Sequence, residues 1–124
     1  DIPKNVGIKD GFTVFNLDHR HQHDSGTHWT AAYASAEGCV YFDSFGMPPS
    51  IEIEEFIKRR FPAFYYNHRE LQDYYAGTCG LWCLAFGNYV RHSPEHLVKA
   101  ANDFINLFTK DTQGNERILG RMGI

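Results

Sequence analysis

Four side chains with complementary chemistry follow one another along the chain. They are His28 in GTHW (26–29), Asp43 in YFDSFG (41–46), Gln72 in HRELQDYYAGTCG (68–80) and Cys79 in TCGLWC (78–83). A thiol, an imidazole, a carboxylate and an amide are the groups that thiol-dependent hydrolysis requires. A free thiol ionises near pH ~8.5, so only a few per cent is thiolate at neutrality. A helix N-terminus favours the anion by roughly 0.3–1 kcal/mol, and Cys79 opens an apolar run that reads as a helix. A neighbouring imidazole is the second device. His28 begins a predicted strand, so it can be held rigidly, take the thiol proton and later pass it to a leaving amine. Asp43 accepts the other ring N–H and fixes the tautomer. Gln72 and the backbone N–H of Cys79 supply an oxyanion hole, in which one donor is typically worth about 2.7–4 kcal/mol of barrier. Gly80 leaves room for a substrate backbone to approach.

Each residue alone also has an ordinary reading. A cysteine at a helix start is commonly a buried structural thiol, and a histidine on a strand is commonly packed or surface-facing. Asp43 alone is a turn carboxylate, and Gln72 alone a surface amide. Their joint order carries the functional reading. Trp29 reads either as a cleft wall or as core. Cys39, Cys83 and Trp82 read as packed residues. The loop DHRHQHD (18–24) places Asp18, His19, His21, His23 and Asp24 at alternating metal-ligand spacing. It also reads as a solvated histidine-rich loop, or as a substrate-contacting rim titrating near neutral pH. The solvated reading is preferred, so no metal and no cofactor is expected.

These residues need elements to hold them. FTVFNL (12–17), HWTAAYAS (28–35), GCVYFDSF (38–45) and AFYYN (63–67) read as strands. The short AEG (36–38) makes the second and third an antiparallel hairpin, which brings His28 and Asp43 to one end of the sheet. Ser50 is the expected N-cap of a helix with Ile53, Phe56, Ile57 and Phe61 on one face; its acidic start and basic end complement the helix dipole. CGLWCLAFGNYV (79–90) is apolar on nearly every face and reads as a buried central helix. Ser93 and Pro94 are expected to start a final helix with the stripe Leu97, Ala101, Phe104, Ile105 and Phe108. The tail from Lys110 is expected to be loosely held. The class is α+β.

At 124 residues a single domain, 1–124, is expected. The opening DIPKN without Met reads as a fragment, a processed product or a trimmed chain. A net charge of −3 shows no nucleic-acid footprint. No apolar stretch is long enough for a membrane span, and no signal peptide opens the chain. Three cysteines, an odd and low count, suit a reducing compartment inside a cell. Cys79 and Cys83 stand one helical turn apart, a poor geometry for a disulfide.

Taken together, GTHWTAAYASAEGCVYFDSFGMPP, the glutamine and TCGLWCLAF resemble the adenovirus-protease (adenain) branch of the ubiquitin-like protease superfamily. The block is most similar to proteases of virophages and Maverick/Polinton-type elements, and the order of motifs is shared with SUMO-specific proteases. The resemblance spans residues 12 to 90. It implies a papain-like fold in circularly permuted order, His before Cys, with a small sheet packed on a central helix. It implies a cysteine endopeptidase that cleaves viral precursor or capsid proteins after small residues such as glycine. The implied roles are catalytic for His28, Asp43, Gln72 and Cys79, with Trp29 and Gly80 binding substrate. The implied setting is the virion or the host-cell cytoplasm or nucleus, and the implied partner is a protein substrate; an activating peptide is left open. Two rival readings stand beside it. One is an isopeptidase removing ubiquitin or a ubiquitin-like modifier; the other is a binding domain that keeps the fold without turnover.

Overall fold

The computed structural model describes residues 11–17 and 28–123. The histidine-rich loop 18–24 lies outside them, as do Gly26 and Thr27 of the first motif and the opening DIPKN. Strands β1 (Gly11–Leu17), β2 (His28–Ser35), β3 (Gly38–Phe42) and β4 (Phe64–Tyr66) form one mixed sheet in that order. The first three pair antiparallel. Strand β4 runs parallel to β3, because helix α1 (Ile51–Arg60) crosses over between them.

Strand β3 is buried at all five positions, since both faces of the sheet are covered. Its period-two alternation divides it between two cores. Cys39 and Tyr41 pack with Phe15, Ile53 and Ile57 on the α1 side. Val40 and Phe42 pack under helices α2 (Cys79–His92) and α3 (Leu97–Ile105). Phe42 and Phe86 stack at 4.7 Å, and Phe104 meets both rings edge-on. Helix α1 forms as its sequence dictates. The Ser50 hydroxyl accepts the Ile53 N–H at 3.3 Å, Glu52 and Glu54 lie in the first turn, and Lys58, Arg59 and Arg60 in the last.

Several expectations need correction. Strand β3 stops at Phe42, and Asp43–Gly46 form a turn closed by the Gly46 N–H on the Asp43 carbonyl at 2.8 Å. Helix α2 is not buried all round: Leu81 and Leu84 are exposed, because the sheet and α3 cover only one side of it. Ser93 ends α2 instead of starting α3. Pro94 breaks the helix, and His96 caps α3 through Nδ1, which accepts the Lys99 N–H at 3.4 Å. The tail is a further helix, α4 (Thr112–Gly120), with Asn115 and Leu119 buried. Leu119 joins the main core with Ile118 packed against it, and long-range polar bonds from Asn115 and Glu116 also hold the helix. Among the described residues the fold is therefore α+β, a four-stranded mixed sheet with four helices.

Gly46 is required at its turn. Its φ is +74°, and an added Cβ would stand 2.7 Å from the backbone of Arg69. Gly46→Ala is expected to lower unfolding stability by about 1–3 kcal/mol, read from the urea midpoint at constant slope.

Candidate active site

Hairpin register builds the first half of the site. Ala31 stands opposite Phe42, so the start of β2 lies beside the turn that follows β3. There the Nε2–H of His28 donates to Asp43 Oδ1 at 2.8 Å. The same oxygen accepts the Phe45 N–H at 2.8 Å. Asn67 grips the backbone of Asp43 from the far side: its Oδ1 accepts the Asp43 N–H at 3.0 Å, and its Nδ2 donates to the Asp43 carbonyl at 2.7 Å. Asp43 is 3 % exposed. Phe45 lies over the imidazole, ring centroids 5.0 Å apart and planes within 28°. With Nε2 donating to a carboxylate, Nδ1 is the ring nitrogen able to receive a proton.

Helix α2 brings the sulfur. Cys79 is its first residue, and Sγ accepts the backbone N–H of Trp29 at 3.4 Å. The thiol is thus seated against the residue next to His28. The helix start is unusual in one respect. Thr78 occupies the N-cap but makes no capping bond; its hydroxyl donates to Glu116 Oε1 at 2.7 Å instead. The cap side chain therefore leaves the first-turn amides of α2 to an anion. The three thiols are not equivalent. Cys79 is 8 % exposed, while Cys39 and Cys83 are fully enclosed. Burial pushes the Cys39 thiol up to about 12. Cys83 is pushed up too, by burial first and then by negative charge at Cys79 and Asp43.

Gln72 arrives through Ser44, the residue after Asp43. The Ser44 hydroxyl donates to Gln72 Oε1 at 2.5 Å, and the Ser44 carbonyl accepts the N–H groups of Leu71 and Gln72 at 2.8 and 3.1 Å. With Oε1 engaged, the amide directs its Nε2 donors away from Ser44. Adjacent residues of one turn thus hold the imidazole and the amide. Gly80 faces Trp29: a Cβ there would lie 3.8 Å from the indole, an ordinary contact. Trp29 is half-buried and packs against the core under α2, so it serves core and site together. Trp82, Cys83 and Cys39 are core, as their sequence surroundings suggest.

All six residues singled out in the sequence therefore gather where β2, the 43–46 turn and the start of α2 meet. Sequence reading missed Ser44, Phe45 and Asn67, although the first two stand inside a quoted motif. It also missed Asn115 and Glu116, for which no local signal exists. Among the described residues no group of three or more His, Cys, Asp or Glu side chains is placed to hold a metal. No protein-family model, curated protein or solved structure matches the chain.

Proposed function

We propose that the chain is a cysteine endopeptidase of the adenovirus-protease-like group, papain-like in permuted order, cutting viral precursor or capsid proteins after small residues such as glycine. One observation carries this reading. Cys79 Sγ rests on the Trp29 N–H while the adjoining His28 is locked to Asp43.

The chemistry follows from that arrangement. His28 Nδ1 takes the thiol proton, and the ion pair is favoured by Asp43 and by the α2 N-terminus. The thiolate attacks the scissile carbonyl carbon. The C=O pair of electrons moves to oxygen, which receives hydrogen bonds from Gln72 Nε2 and the Cys79 N–H. When the tetrahedral centre collapses, the C–N bond breaks and His28 returns its proton to the leaving amine. The remaining thioester is cleared by water, with His28 again as base. Trp29 standing over Gly80 narrows the approach to the sulfur and favours substrate residues without bulky side chains.

Mass spectrometry of a peptide library after incubation tests the function. Products should end in glycine or another small residue; an uncut library removes the proposal. Gln72→Ala should reduce kcat by about 10²–10³, the range for loss of one oxyanion donor. Ser44→Ala keeps the amide but frees its orientation, so a smaller loss is expected in the same assay.

Thiol titration gives a second check. Raised pKa values keep Cys39 and Cys83 protonated: for a thiol at about 12, roughly 10⁻⁴ is thiolate at pH 8. Iodoacetamide should therefore label Cys79 alone in the folded protein at neutral pH. Cys39 and Cys83 should react only when the pH is strongly alkaline or denaturant opens the cores. Equal, slow labelling of all three would contradict a primed Cys79.

A further inference from the structure

Two consecutive residues of α4 bond to the chain neighbours of Gln72 and Cys79. The Glu116 carboxylate accepts three hydrogen bonds: Thr78 Oγ1 on Oε1 at 2.7 Å, the Asp73 N–H on Oε2 at 3.0 Å and Trp82 Nε1 on Oε2 at 3.1 Å. Asp73 follows Gln72 directly, and Thr78 precedes Cys79 directly. Asn115 is fully buried. Its Nδ2 donates to the Leu71 carbonyl at 3.1 Å and to the Thr109 carbonyl at 2.8 Å, while its Oδ1 accepts the Thr109 N–H at 2.8 Å. Gln72 is thereby bracketed, with Leu71 tied to Asn115 and Asp73 tied to Glu116.

We propose that Glu116, seconded by Asn115, is a positioning residue that sets the separation between the Gln72 amide and the Cys79 N–H. The proposal rests on the peptidase reading above. A carboxylate suits the place because it offers two oxygens that only accept, and three donors converge on it. Segment 73–78 carries the exposed Tyr74 and Tyr75 and the left-handed Gly77 (φ +64°). Glu116 anchors this segment at both ends, adding to the Ser44 bonds that hold Gln72 and to the turn bond from the Ala76 N–H to the Asp73 carbonyl. Helix α4 is therefore part of the catalytic machinery's frame, although it contributes no reacting group.

Glu116→Gln, made in the whole chain, tests this. Glutamine keeps one acceptor oxygen and turns an N–H₂ towards donors, so at least one of the three bonds is lost. An oxyanion hole displaced by a fraction of an ångström to an ångström should lower kcat by about 10- to 100-fold, with KM within about twofold. Iodoacetamide labelling of Cys79 should continue at a rate close to wild type, because His28 and Asp43 are untouched. That pairing of a kcat loss with retained labelling is not produced by general loosening of the fold, which would expose Cys39 and Cys83 as well. Should Glu116→Gln fail to fold, Thr78→Val removes one of the three bonds while keeping a branched side chain at a cap that makes no capping bond; kcat should again fall with KM unchanged. A wild-type chain that cleaves while the folded variant matches its kcat overturns the role of Glu116 alone. A wild-type chain that cleaves nothing overturns the peptidase reading, and this inference with it.

Discussion

Cys79→Ala is expected to abolish peptide hydrolysis while the protein stays folded. The sulfur sits at the first position of α2, where alanine suits the helix, and it accepts the Trp29 N–H at 3.4 Å. Loss of the nucleophile from a triad costs on the order of 10⁶ in kcat, the remainder arising from the oxyanion hole and binding. Circular dichroism and the urea midpoint should stay near wild type, and the variant should still bind an uncleaved substrate peptide. Turnover at a measurable fraction of the wild-type rate would assign the chemistry to another group. Neither Cys39 nor Cys83 is a plausible substitute, since both are fully enclosed and held in the thiol form.

Asp43→Ala should also produce a large loss, on the order of 10⁴ in kcat, as for removal of the acid from a triad. The carboxylate does two things at once: it accepts the His28 Nε2–H and the Phe45 N–H, while Asn67 holds the Asp43 backbone. Without it the imidazole is free to take the wrong tautomer, with the proton on the nitrogen that should receive one. The orphaned Phe45 N–H adds a stability cost of about 1–3 kcal/mol. Asp43→Asn separates orientation from charge. Its Oδ1 still accepts from His28 and Phe45, so a much smaller loss is expected if orientation dominates, and an equal loss if the negative charge does. Steady-state kinetics with Cys79 labelling rates, run on both variants, decides between them.

The parts of this molecule that could be read from sequence are those whose cause is local. The AEG turn and the alternation on either side of it dictate the β2–β3 hairpin, and the hairpin dictates that His28 meets the residues after Phe42. Ser50, the acidic first turn and the basic last turn of α1 are all within a few residues of one another. The start of α2 at Cys79 follows from the switch to an apolar run. What could not be read depends on distant partners. Helix α4 buries Asn115 and Leu119, and it is held by packing of Leu119 and Ile118 on the core together with bonds to residues 71, 73, 78 and 82, distant partners that no window of sequence contains. Ser93 has the composition of an N-cap, yet the Leu97 stripe docks later, so the capping position passes to His96. Ser44 stands inside the YFDSFG motif, but its partner Gln72 lies 28 residues away. In the site the residue types were legible, and the bonds that hold them in place were not.

The central claim is that Cys79 is a nucleophile activated by His28 for acyl transfer. The most direct measurement is intact-mass spectrometry with peptide mapping after reaction with a peptidyl chloromethyl ketone whose last residue is glycine. The expected result is a single adduct on Cys79, saturable in reagent, accumulating in step with the loss of hydrolysis and suppressed in His28→Ala. Adducts scattered over all three cysteines, or hydrolysis that survives complete modification of Cys79, would contradict the claim.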